Sequence, residues 1–114
     1  MSNVIAFNSV LEQFLTELSN VFQEELYLKS LISNFKNVKS LNENIPMFAF
    51  SKVMKKNREL VEANDERFFA VVETLPLFGD IKLTELWKYM SNETKNVVWL
   101  YINSLYNLSC RVDV

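Results

Sequence analysis

Apolar residues recur along this chain at the three- and four-residue spacing of a helix face, and no sustained period-two alternation appears. Phe7, Leu11, Phe14, Leu15, Leu18 and Phe22 form the first stripe, with Glu12, Gln13, Thr16, Glu17 and Asn20 opposite. That spacing predicts a helix over about 8–22. Leu28, Leu31, Ile32, Phe35 and Val38 predict a second over about 23–41. Neither Gly nor Pro marks the junction, so the pattern leaves open whether a bend at 21–24 separates the two.

The stretch "SLNENIPMF" interrupts the pattern. Asn44 is expected to cap the next helix, with Pro46 in the first turn, where a missing N–H costs nothing. Met47, Phe50, Met54 and Val61 then predict a third helix over about 45–63. Asn64 or Asp65 is expected to cap a short turn carrying Phe68 and Phe69. "ETLPLFGD" reads as a loop, because Pro76 and Gly79 both disfavour helix; its Leu75, Leu77 and Phe78 are expected to cover the core. A penultimate helix starts at Asp80 or Lys82 and runs to about 90.

Ser91 is expected to cap the last helix, with Glu93 meeting the positive end of the helix dipole. That helix is predicted over about 92–111, with Val98, Tyr101, Leu105 and Leu108 on one stripe, flanked by Val97 and Ile102. A second stripe runs through Trp99, Ile102 and Tyr106. A helix apolar over so much of its circumference belongs at the centre of a fold. The expected architecture is all-α: one domain over 1–114 with its core at about 7–109, an irregular bundle of about five or six helices around a central apolar C-terminal helix.

Composition adds size and exclusions. A chain of 114 residues buries about two-thirds of its unfolded surface, enough for a core without disulfides. Cys110 is the only cysteine, so it reads as a small buried hydrophobe. There is no histidine, which removes the commonest general base and transition-metal ligand. A single glycine cannot build a phosphate-cradling loop or a dinucleotide fingerprint. Asp65, Asp80 and Asp113 lack calcium-loop spacing. No catalytic, cofactor-binding or metal-ligating residue is therefore assigned. No leader and no run long enough to span a membrane is evident, so an intracellular protein without membrane insertion is expected. The sequons at Asn92 and Asn107 then read as chance matches.

Three groups carry candidate chemistry. Glu59, Glu62, Asp65 and Glu66 cluster, but Arg58 and Arg67 lie among them, so a solvated charged face is the leading reading. Lys52, Lys55 and Lys56 fall at i, i+3 and i+4, with Arg58 following. This stripe, which Lys36 and Lys39 would extend if the second helix packs alongside, is a candidate contact for an acidic partner or nucleic acid. Net charge is only −2, so no global electrostatic footprint favours nucleic acid. Trp87 and Trp99 read as core anchors. Trp99 and Tyr106, on the flank of the last helix, are also candidate residues for a protein partner or a second copy.

The order "FNSVLEQFLTEL", "NIPMFAF", "DERFF" and "LWKYMSNETKNVVWLYINSLYNLS" resembles small all-helical proteins of nucleocytoplasmic large DNA viruses, of the giant and algal virus type. The resemblance covers 7–109 by pattern and departs from it at "SNVFQEELYL" and in a short segment between Phe69 and Glu85. It implies no enzyme activity and brings no site residue with it. The expected function is a non-enzymatic interaction or structural protein of such a virus, acting through apolar helix faces on itself, a virion component or a host factor. The alternative is a small nucleic-acid-associated regulator using Lys52, Lys55, Lys56 and Arg58.

Overall fold

A computed structural model describes residues 3–23, 26–78 and 81–111. Among them lie seven α-helices: α1 (Asn3–Val21), α2 (Leu26–Leu41), α3 (Ile45–Lys56), α4 (Arg58–Glu62), α5 (Phe68–Val72), α6 (Leu83–Trp87) and α7 (Asn92–Tyr106). A 3-10 turn spans Pro76–Phe78, and α7 continues into a π-helical turn, Asn107–Arg111. No strand forms among the described residues. The junction left open at 21–24 separates two helices, α1 ending at Val21 and α2 beginning at Leu26. Glu24 itself, Gly79 and the possible helix start at Asp80 lie outside the described residues.

The apolar stripe of α1 is buried as its spacing requires: Phe7, Leu11, Phe14, Leu15 and Leu18 all enter the core. Helix α1 packs on α2 along one side and on α7 along another, and α3 closes over it. Phe50 of α3 meets Phe7 of α1 at 5.9 Å between ring centroids and Phe78 of the 3-10 turn at 6.1 Å, both edge-on. The "LPLF" stretch does cover the core: Phe78 is buried, and Leu75 and Leu77 pack against it. The radius of gyration, 13.3 Å, matches the about 13 Å of a single compact domain of this length.

The third helix of the sequence pattern is two helices. At Asn57 the backbone leaves the helical region (φ −121°, ψ 35°), and the Asn57 side-chain amide donates to the Val53 carbonyl at 2.9 Å. A short polar side chain that bonds a local carbonyl competes with the helix ladder. Asn64 then ends α4 in the left-handed region (φ 51°), with the Asp65 N–H donating to the Leu60 carbonyl and the Asn64 N–H to that of Val61. This is the Schellman stop, in which asparagine tolerates the positive φ.

Two expected caps come out differently. Ser91 Oγ accepts the Thr94 N–H at 3.1 Å, so it caps α7. Asn44 stands at the start of α3 without capping it through its side chain. Asn42 Oδ1 instead accepts the Asn44 N–H at 2.9 Å and makes the turn. Asp65 does the same one element later, accepting the Arg67 N–H at 3.0 Å ahead of α5.

The C-terminal helix lies between α1, α3 and α4. Its inner face buries Val98, Trp99, Ile102, Leu105 and Tyr106, while Leu100 and Ser104 face outward. The expected single helix over 92–111 widens after Tyr106, where Ser109 Oγ donates to the Leu105 carbonyl at 2.8 Å. The wider turn brings the buried Cys110 thiol to 3.9 Å from the Ser51 carbonyl of α3.

Candidate functional site

The aromatic residues expected on a partner-facing flank are enclosed by this chain. Trp99 is 8% and Tyr106 2% exposed. Phe69 of α5 stacks obliquely on Trp87 at 4.6 Å and on Trp99 at 5.0 Å, and the two tryptophans meet edge-on at 6.0 Å. Lys95 lies 5.2 Å over the Trp87 ring. The physical reason is coverage: Phe69 of α5 and Trp87 of α6 pack over Trp99, and α4 packs on α7, its Glu62 meeting Tyr106, on the flank that the sequence pattern left open.

The carboxylate cluster has a structural use that its spacing did not disclose. Trp87 Nε1 donates to Glu66 Oε2 at 2.8 Å, and Tyr106 Oη donates to Glu62 Oε2 at 2.8 Å. Each buried aromatic thus reaches an acceptor at the rim of the core. Burial, and next the hydrogen bond to Glu62, hold the Tyr106 phenol above the usual tyrosine range. Asp65 is gripped by the Arg67 guanidinium, with Nη2–Oδ2 at 2.6 Å. That bond, reinforced by the Arg67 N–H, lowers the Asp65 carboxyl to about 2. Among the described residues no three Asp, Glu or Cys side chains converge as a cation would require. Glu73 was not singled out by its spacing; it is buried and accepts the Thr84 hydroxyl at 2.8 Å, joining α5 to α6.

The basic stripe is at the surface: Lys52, Lys55, Lys56 and Arg58 are all exposed. Lys52 Nζ lies 5.2 Å over the Phe48 ring. Lys39 does not extend this stripe. It turns the other way, to 3.9 Å from Glu12 of α1.

Next to the stripe lies an apolar face that the periodicity did not single out. Leu41 at the end of α2 is 83% exposed, and Phe48 of α3 is 64% exposed. Ile45, one turn before Phe48, is 42% exposed and also borders a cleft of about 130 Å³. Val38, Pro46, Ala49 and Phe50 on one side and Leu75, Pro76 and Leu77 on the other complete the lining, which is almost entirely carbon. The cleft forms where the 3-10 turn docks on α2, a contact no local pattern encodes. Its volume is well below that of a small-molecule site, and suits a single aliphatic anchor side chain.

No helix among the described residues is long and apolar enough to cross a membrane. Fold and surface together define a small all-α domain with an apolar cleft beside a basic helix edge. Comparison with protein-family models, curated proteins and solved structures finds no match.

Proposed function

We propose that this protein is a non-enzymatic interaction domain that docks an amphipathic segment of a partner protein, apolar on one face and acidic on its flank, against the α2–α3 corner. One observation carries the reading: the exposed Ile45 borders an apolar cleft, the exposed Phe48 follows one turn along α3, and Lys52 sits directly over the Phe48 ring. Apolar anchors would supply affinity, and the cations of α3 would select the acidic flank and speed encounter. The absence of histidine and the engagement of Glu62, Asp65 and Glu66 in structural bonds support a binding rather than a catalytic role. The resemblance to proteins of large DNA viruses supports a virion or host protein as the partner.

The experiment uses a fluorescent helical peptide with leucines on one face and glutamates on its edge. Saturable binding is expected, weakened at least about tenfold by Phe48→Asp or Lys52→Glu. A peptide with lysines replacing the glutamates should bind no better than background. Equal binding of both peptides, or no effect of either substitution, would overturn the reading. The exposure of Lys52, Lys55 and Lys56 on one face of α3, with the exposed Arg58 opening α4, also favours a second reading, contact with nucleic acid. That reading requires salt-dependent oligonucleotide binding that Lys52→Glu/Lys56→Glu abolishes.

A further inference from the structure

We propose that the exposed edge of α3 docks, in a second copy of this chain, into a cleft between α1 and α7. The proposal rests on the docking reading above and names the partner that the α2–α3 corner takes.

This second cleft measures about 230 Å³. Phe14, Leu18 and Val21 line it from α1, and Val97 and Tyr101 from α7. Glu17 and Glu93 border it and are both exposed. Helical spacing puts positions 14, 17, 18 and 21 on one face, and positions 93, 97 and 101 on another, so each carboxylate stands beside an apolar wall. No Lys or Arg is among the described residues of the lining. Among the described residues neither Glu17 nor Glu93 has an ion-pair partner. The cleft is apolar within and acidic at its mouth.

The α3 edge carries the complement. Ile45, Phe48, Lys52 and Lys56 are all exposed, and helical spacing places them within about 80° of one another around the axis. Phe48 leads, and the two cations follow one and two turns behind it. An exposed aromatic ring is the kind of side chain that anchors an interface in an apolar pocket. The ammonium groups behind it would meet the carboxylates at the mouth, which fixes the orientation. A net charge of −2 opposes the approach of two copies only weakly.

The fold keeps edge and cleft apart. Phe50 of α3 meets Phe7 in the first half of α1, whereas the cleft occupies 14–21 of that helix. Ser51 of α3 lies against Cys110, beyond the end of α7, whereas the cleft occupies 93–101. One copy therefore presents both surfaces at once, towards opposite ends of α1 and α7. An edge in a neighbour's cleft is a head-to-tail contact, which adds copies in a ring or chain instead of stopping at a pair.

Sedimentation velocity of the full chain at low salt, from micromolar to millimolar concentration, tests the contact. Growth beyond a dimer is expected, weakened at least about tenfold by Phe48→Asp on the edge or Glu17→Lys/Glu93→Lys at the cleft. Each variant keeps one intact surface, so mixing the two should restore association and stop it at a one-to-one pair. Circular dichroism checks the fold, and Glu17→Gln/Glu93→Gln, expected to weaken association at least about threefold, keeps the test decisive if the lysine pair does not fold. A wild-type chain that stays monomeric would overturn the proposal; if it still binds the leucine–glutamate peptide, the docking reading stands without it. Association indifferent to the cleft substitutions would overturn it as well. So would a mixture that remains monomeric, because only a head-to-tail contact lets the two variants complement each other.

Discussion

Trp87 and Tyr106 each carry one polar atom into an apolar interior, and each donates it to a glutamate at the rim. The energetic weight lies in the rings. Truncating a buried tryptophan costs about 3–5 kcal/mol, whereas losing one hydrogen bond near solvent costs about 1 kcal/mol. Trp99→Ala is therefore expected to destabilise the domain severalfold more than Tyr106→Phe, as read by urea denaturation. Asp65 gives a residue-scale prediction in pH. Its folded-state carboxyl lies at about 2, lowered first by the Arg67 side-chain hydrogen bond. A depressed acid favours the folded state above its unfolded value, near 3.8, and that contribution is lost as pH falls from there through about 2. The NMR titration midpoint of Asp65 should rise toward the ordinary carboxylate range in Arg67→Ala. A midpoint unchanged by that substitution would rule out the Arg67 bond as the cause.

At the scale of elements, single side chains decide where helices begin and end. Ser91 caps α7 through the Thr94 N–H, so Ser91→Ala should cost about 1 kcal/mol. Asn64 holds a positive φ. Glycine there should leave stability within about 0.5 kcal/mol, whereas Asn64→Val should lose at least about 1 kcal/mol to the left-handed backbone. Thermal melts of the three variants give the ranking directly. The Ser91 cap was legible because serine stands before a long periodic run. The break at Asn57 was not, because asparagine within an apolar-periodic stretch is compatible with a continuous helix; the bond to the Val53 carbonyl becomes visible only once the chain has folded. Asn44 erred in the opposite sense, since Asn42, two residues earlier, makes the turn.

At the scale of the whole molecule, Phe50 joins three distant parts of the chain through Phe7 and Phe78. Phe50→Ala should cost about 3–5 kcal/mol, a large share of the 5–15 kcal/mol typical of a domain. The buried residues form one continuous cluster from α1 to the π-helical turn. Unfolding should accordingly be a single cooperative step, with tryptophan fluorescence and far-ultraviolet dichroism tracing one transition. Separate transitions for the Trp87–Trp99 region and for α1–α2 would contradict a single core. Phe48→Asp, at an exposed position, should leave stability within about 0.5 kcal/mol, which separates loss of docking from loss of fold.

Helical periodicity by itself determined the all-α class, the buried face of α1 and the Ser91 boundary, because those features depend on residues three and four apart. On α7 and its π-helical continuation the predicted Tyr101 and Leu108 are only half-buried, and the buried face turns toward Trp99 and Tyr106. The lack of histidine and the presence of a single glycine likewise determined which site chemistries were unavailable, since composition does not change on folding. Tertiary structure alone decided what covers Trp99 and Tyr106, and which carboxylates accept from the buried aromatics. It alone opened the cleft beside Ile45 and the one between α1 and α7. Those features arise from contacts between segments tens of residues apart, as when Tyr106 reaches Glu62. A local pattern shows that a helix has an apolar face; only the packed chain shows whether that face meets its own residues or stays open to a partner.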